Sequence, residues 1–270
     1  MADGSEIKDR QRTMWSSGDY AEVAATIESA ANGLIDELGI EAGQDVLDVA
    51  CGTGNATIPA AQRGATATGL DLTPKLLEIA RARALEAGAE INFVEGDAED
   101  LPFGDGSFDR VSSVFGTMFA PDQQRTADEL MRVCRSGGRV GFCAWTPEGL
   151  NGRVLALIGS FMPPPPDDFQ PPVLWGVEDR IRKLFASHGS EPKFEVRDVV
   201  FEDESVEHWV AFHERTLGPV VLAKAALEPA GRWDEARAAL VALYEEANES
   251  TDGGMSLRAE YLMTTIDRPI

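Results

Sequence analysis

The chain has 270 residues, 43% of them apolar, enough to bury a sizeable core as one large α/β domain with insertions or as two small domains. Forty-six acids against 24 bases give a formal charge of −22, which repels phosphate; no run of Lys and Arg offers a local exception, so a nucleic-acid partner is disfavoured. Cys51, Cys134 and Cys143 are too few and wrongly spaced for a zinc site or a disulfide framework, so no metal is expected. The N-terminus lacks the apolar core of a signal peptide and no run reaches about 18 apolar residues, which predicts a cytoplasmic globular protein without membrane insertion.

Taken in order, Met14, Trp15 and Tyr20 precede a predicted amphipathic helix over 19–38, with Asp19 as N-cap and an apolar stripe through Val23, Ile27, Ala30, Ala31, Leu34, Ile35 and Leu38. Gly39 ends it. Residues 44–50 form a first strand that carries one acid, Asp48, and breaks into a turn at Gly52 and Gly54, followed by a helix over 56–62. Residues 65–71 read as a second strand ending on Asp71. Thr73 and Pro74 then open a helix with the stripe Leu76, Ile79, Ala80, Ala84 and Ala87. A third strand over 91–95 leads into Gly96, Asp97, Ala98, Glu99, Asp100, Leu101, Pro102 and Phe103. A fourth strand over 108–115, a helix over 121–135 and a fifth strand over 139–145 complete an alternation that implies right-handed βαβ units. The fold class is therefore α/β: a Rossmann-like, seven-stranded, mostly parallel sheet with helices on both faces.

Beyond residue 146 the pattern changes. A helix at about 150–161 runs into the proline-rich stretch 161–172, read as a loop over a pocket, followed by a helix over 177–187 and a sixth strand over 193–201. Helices over 205–217 and about 231–248 precede a last strand over 257–266. One domain is expected overall: an N-terminal lid and helix (1–43), a core (44–147), a proline-rich insertion over the pocket (148–178), core continued (179–204), a helical cap insertion (205–250) and the last core strand (251–270).

The chemistry sits at successive strand ends, where open α/β sheets bind ligands. A glycine turn lets a ligand approach bare backbone. A carboxylate at Asp71, 17 residues beyond Gly54, can accept hydrogen bonds from both hydroxyls of a ribose, and Asp97 with the Ala98 amide can read an adenine edge. A nicotinamide-binding protein shares the glycines and the second-strand acid, but Asp48 and the segment 96–103 would be unneeded there. Each acid alone is more often a turn former than a ligand; their order and spacing argue for a site.

Residues 46–145 resemble the core of class I S-adenosylmethionine (AdoMet)-dependent methyltransferases, particularly the small-molecule branch that includes ubiquinone/menaquinone and natural-product methyltransferases. The matching pieces are Val46 to Gly54, Gly69-Leu-Asp71-Leu72, Gly96 to Phe103, Phe108-Asp-Arg-Val111 and Glu129 to Gly138. The resemblance implies AdoMet as cofactor. Asp48, Ala50, Cys51, Gly52 and Gly54 would cradle its methionine end and ribose, Asp71 and Leu72 the ribose, and Asp97 and Ala98 the adenine. Ser113 and Phe115 would border the transferred methyl. Trp15 and Tyr20 either fold over the cofactor or pack on the sheet, and Cys51 reads as a small space-filler more than a reactive thiol.

Because a sulfonium methyl is already activated, a base is needed only if the acceptor must lose a proton. His213 is the candidate base; on the apolar stripe Val206, Trp209, Val210 and Leu217 it also reads as a packed helix residue, as does His208 beside Phe212. His188 suits a helix C-terminus. Met118, Phe119, Trp145, Phe161, Trp175 and Trp209 are candidates for an acceptor pocket, which would make the acceptor small and apolar or aromatic. The expected activity is methyl transfer from AdoMet to such an acceptor, with a protein or RNA methyltransferase and a non-catalytic AdoMet-binding scaffold as alternatives. A homodimer is compatible with the sequence without being implied by it.

Overall fold

The computed structural model describes residues 4–166 and 168–270, so the first three positions of the expected lid and Asp167 of the proline-rich insertion lie outside the described residues. Among the described residues seven strands form one sheet: β1 (Asp45–Val49), β2 (Thr66–Asp71), β3 (Asn92–Glu95), β4 (Phe108–Val114), β5 (Cys134–Trp145), β6 (Lys193–Asp203) and β7 (Met255–Asp267). Their order is β3-β2-β1-β4-β5-β7-β6. The first five run parallel, and β7 inserts antiparallel to both β5 and β6. This is the mostly parallel sheet expected from the alternating pattern. The order reverses between β1 and β4, which opens a crevice beyond their carboxyl ends.

The helices follow from the sequence period. α1 (Gly4–Ser16), α2 (Tyr20–Thr26), α3 (Glu28–Glu37), α4 (Thr57–Gln62), α5 (Pro74–Glu86), α6 (Gln123–Val133), α7 (Leu150–Phe161), α8 (Glu178–Phe185), α9 (Val206–Thr216), α10 (Gly218–Leu227) and α11 (Trp233–Ala247) surround the sheet. α3 buries Ala30, Ala31, Leu34 and Ile35, while α6 buries Ala127, Leu130, Met131 and Val133 behind an Asp122 N-cap that accepts from the Arg125 N–H at 3.0 Å.

Three elements differ from the sequence reading. The single helix expected over 19–38 is two, broken at Ile27 (φ −115°, ψ 12°). The Ala24 carbonyl, which a continuous helix would pair with the Glu28 N–H, instead accepts from Ile27 N at 3.2 Å and from Asn55 Nδ2 at 2.6 Å. The glycine turn thus holds the break. α1 has too few apolar residues to show a stripe and is fastened by polar contacts: Gln11 Nε2 to the Phe119 carbonyl (2.5 Å), Arg12 Nε to the Leu72 carbonyl (3.3 Å) and, from α5, Lys75 Nζ to the Ser16 carbonyl (2.8 Å). α10 lies in 218–227, to which the sequence reading assigned no element; it begins at Gly218-Pro219, with proline in the first turn, where its missing N–H costs nothing.

Candidate active site

The glycine turn is built by strain and bracing. Ala50 (φ 53°), Gly52 (φ 54°) and Gly54 (φ 88°) lie in the left-handed region, and so does Phe115 (φ 54°) at the end of β4. Two non-glycine residues in that conformation at adjacent strand ends mark a backbone held in place by its surroundings. Gly116 permits the approach: a Cβ there would sit 2.6 Å from both the Cβ and the carbonyl oxygen of Ala50. Arg83, from α5, clamps the turn from behind, donating from Nη1 to the Thr53 carbonyl (2.9 Å), Thr53 Oγ1 (2.9 Å) and Asn55 Oδ1 (2.7 Å). No motif signalled this arginine; its only sequence mark is its place one turn from the end of α5.

Asp48 is 2% exposed, with Oδ2 accepting from Thr57 Oγ1 (2.7 Å) and Oδ1 from Ser112 Oγ (2.9 Å). Burial pushes its pKa up to about 6 against those two hydroxyls, which favour the charged form. Asp71 accepts from the Gly52 N–H through Oδ2 and the Thr73 N–H through Oδ1, both at 2.8 Å; burial raises its pKa against these bonds. Its carboxylate therefore ties the glycine turn to the start of α5 while facing the cleft. The Thr73 hydroxyl, on the same wall, is buried beside the Asp71 carboxylate and favours its charged form. Asp97 pairs with Lys8 of α1 and accepts from the Glu99 N–H at 2.9 Å; Lys8 also reaches Glu99 at 2.8 Å.

These groups line a cleft of about 920 Å³ at the crevice between β1, β2 and β4. Of the residues singled out in the sequence, Trp15, Tyr20, Asp48, Ala50, Cys51, Gly52, Asp71, Leu72, Asp97, Ala98, Phe115 and Phe119 line it. Gly54 and Ser113 do not: Gly54 faces Ile58 and Ala80, and Ser113 Oγ accepts from the Thr117 N–H at 3.1 Å. Gln11, Thr53, Asn55, Thr73, Leu76, Gly116 and Pro121 are lining residues that sequence reasoning did not single out. The Cys51 thiol is buried against Gly69, with its pKa raised by burial, as befits a space-filler.

A second cavity, of about 650 Å³, shares Trp15, Tyr20, Ile27, Phe115 and Phe119 with the first and extends under α7, α9 and α10 through Trp145, Asn151, Val154, Leu155, Phe201, Trp209, His213, Leu217 and Pro219. The wall between the cavities is aromatic: Trp15 meets Tyr20 and Phe119 edge-on at 5.3 and 4.8 Å, and Phe115 stacks on Trp145 at 3.7 Å. Burial, then Asp71, pushes the Tyr20 phenol up to about 12, so it is protonated at neutral pH.

Among the acceptor-pocket candidates, Phe119, Trp145 and Trp209 line the second cavity. Met118 is core. Trp175 is fully buried edge-on to Phe142 and Phe185, and Phe161 lies near the Arg232 guanidinium; neither lines a cavity. Of the insertion expected over 148–178, Asn151, Val154 and Leu155 of α7 line the second cavity, whereas the proline-rich stretch after α7 lines neither. Its end is tied to α6 and α8, with Gln123 Nε2 donating to the Pro171 carbonyl (3.1 Å) and Arg180 Nη2 to Gln170 Oε1 (2.6 Å), and among its described residues 162–176 none lines either cavity. His213 lines the second cavity, and burial lowers its pKa to about 3. His188 pairs with Asp128 and His208 with Asp203, away from both cavities.

Comparison with known proteins gives this geometry a lineage. Residues 46–138 match the methyltransferase domain family. The chain is 49% identical over 181 residues to an uncharacterized protein of Mycobacterium tuberculosis, a match covering 67% of this chain and 66% of that one, so it spans just under two thirds of that relative's length. It is 40% identical over 129 residues to the demethylmenaquinone methyltransferase of Thermus thermophilus, covering 43% of this chain and 59% of that one. In fold it is similar to a crystal structure of a putative methyltransferase from Bacillus halodurans, with a TM-score of 0.63, 21% identity and coverage of 90% of this chain and 100% of that one. Over residues 46–138 the chain thus carries a domain of the methyltransferase family, built into a seven-stranded sheet of the fold seen in that structure.

Proposed function

We propose that this chain binds AdoMet in the first cleft and transfers its methyl group to a small, largely apolar or aromatic acceptor held in the second cavity. The observation that carries the reading is the shared wall: a cleft with ribose- and adenine-type polar groups has Tyr20, Phe115 and Phe119 in common with a cavity lined without Asp, Glu, Lys or Arg. The donor set suits the cofactor. Asp71 offers a carboxylate whose turn-side bonds already fix its orientation, and the Thr73 hydroxyl lies on the same wall beside it. Gly52 leaves room beside Tyr20, whose ring edge lies 3.5 Å from where a Cβ would project.

When bound, AdoMet supplies a sulfonium methyl already activated for displacement. The chain's residues then have two tasks: aligning the acceptor with that methyl and excluding water. Phe115, rigidly stacked on Trp145, and the Trp15-Tyr20-Phe119 cluster do both, because they form the wall through which the two ligands meet. α1 closes the cleft through Lys8 and Gln11, so ligand entry requires its polar contacts to open. The free, buried thiols of Cys51, Cys134 and Cys143 suit a reducing, cytoplasmic setting.

Calorimetric titration with AdoMet, S-adenosylhomocysteine and NAD tests the cofactor. Binding of the first two without NAD is expected; NAD binding alone would refute the reading. Methyl-labelled AdoMet with a panel of phenols, quinols and hydrophobic amines then tests the acceptor class, and labelling only of protein or RNA would replace it.

A further inference from the structure

One polar cluster in the second cavity has no task in the methyl-transfer reading. α9 places Trp209 and His213 one turn apart, and α11 brings Tyr244 against them, with its phenol oxygen 2.9 Å from His213 Nδ1. Tyr244 is 0% exposed and His213 5%. A phenol buried so completely must place its proton on an acceptor, and His213 Nδ1 is the partner recorded for it among the described residues. The neighbouring indole cannot take that proton, because Trp Nε1 only donates. Trp209 Nε1–H is itself buried without a partner in good hydrogen-bonding geometry, yet it lies near enough to the Tyr244 oxygen to act against the burial that pushes that phenol up. The phenol O–H therefore turns to His213 Nδ1, 2.9 Å away.

That arrangement fixes the tautomer. With Nδ1 accepting from Tyr244, the proton of a neutral imidazole resides on Nε2. The ring is neutral because burial disfavours its charged form. Nε2 is then the ring nitrogen left for a ligand in the cavity that His213 lines, and it carries a proton to give, not a lone pair to receive one. The base expected from the sequence becomes a hydrogen-bond donor.

We propose that His213, oriented by Tyr244, presents its Nε2–H to the second cavity and selects acceptors bearing a carbonyl, enol or phenol oxygen on a flat apolar frame. This rests on the second cavity being the acceptor site. Around the donor, Trp145, Val154, Leu155 and Leu217 offer apolar surface, while Asn151 and Thr26 are the other polar side chains besides Tyr20 on the lining. A directional donor in a largely apolar cavity discriminates, since an oxygen-free analogue leaves it unpaired.

Two measurements decide it. Long-range proton–nitrogen NMR on protein labelled in its three histidines should show His213 as the Nε2–H tautomer near neutral pH, with the pattern shifting toward a mixture in Tyr244→Phe. A His213 found as the Nδ1–H tautomer, or protonated, overturns the assignment. Tryptophan fluorescence titration with 2-naphthol and naphthalene, with and without S-adenosylhomocysteine, should then show 2-naphthol favoured by about five- to tenfold, a preference that His213→Leu abolishes while naphthalene still binds. Equal affinity in the unaltered protein, or no binding of either probe, overturns the donor role. If the preference stands but S-adenosylhomocysteine does not bind, the methyltransferase reading falls and the His213 assignment survives.

Discussion

Asp48→Asn should make the ligand-free protein more stable near neutral pH while weakening AdoMet binding. The carboxyl group is enclosed by Thr57 and Ser112, and its pKa in the folded state is about 6, against an ordinary value of 3.8. The sign follows from proton binding. Between those two values the unfolded chain has released the proton and the native protein retains it, so stability falls as pH rises through the window and is flat above about 6. Taking the two values at about 1.4 kcal/mol per pH unit gives a penalty of about 3 kcal/mol, fully present above pH 6 and absent below about 4. Asparagine keeps the shape, accepts from Ser112 and donates to Thr57, so the variant escapes most of that penalty. Urea unfolding at about pH 5 and about pH 8 should show the variant gaining roughly twice as much at the higher pH. A variant destabilised at both, or a gain independent of pH, would refute the electrostatic account. The same variant should bind AdoMet more weakly in calorimetry, which would explain why a charge is buried at the end of β1.

Three further perturbations probe the same cleft. Asp71→Ala removes the acceptor for the Gly52 and Thr73 N–H groups as well as a ribose contact, so AdoMet affinity should drop by about 1.5–3 kcal/mol and the melting temperature should fall with it; unchanged affinity in calorimetry would remove Asp71 from the site. Gly116→Ala drives a methyl into Ala50 and should cost roughly 1–3 kcal/mol in thermal or urea unfolding, whereas a neutral result would mean the β1 and β4 ends are free to separate. Lys8→Ala releases α1 from Asp97 and Glu99; because partly exposed pairs contribute little, AdoMet dissociation in stopped flow should speed up only about two- to fivefold, and an unaltered rate would show that α1 does not gate the cleft.

The first cleft was legible in the sequence because its determinants are local. Asp48, Gly52, Asp71 and Asp97 each sit at a strand end, and a strand end is where a βαβ pattern must deliver a ligand-facing residue, so reading the strands amounted to reading the cleft. What escaped was non-local. Arg83 reaches the turn from an α5 whose stripe says only which face is buried, and Asn55 breaks the preceding helix by taking a carbonyl 31 residues upstream. α1 carries no apolar period, since polar side chains bonded to distant backbone carbonyls hold it down. Within the insertion expected over the pocket, α7 supplies Asn151, Val154 and Leu155 to the second cavity, while Gln123 and Arg180 fasten the end of the proline-rich stretch beside α6 and α8.

His213 shows why residue type and position together still leave chemistry open. On one helix face with Val206, Trp209 and Val210 it reads first as a packed core residue and second as a base, and the structure shows a ring that is buried and also borders a cavity. Its role depends on which nitrogen holds the proton, and that is set by Tyr244, 31 positions away on a helix with its own separate stripe. A base would need a carboxylate at Nδ1 to support the positive charge it acquires; a phenol that donates to Nδ1 and whose own pKa is raised by burial provides no such support. With the second cavity as the proposed acceptor site, His213 would orient an oxygen by donation and leave the displacement itself to an acceptor that is nucleophilic without its help.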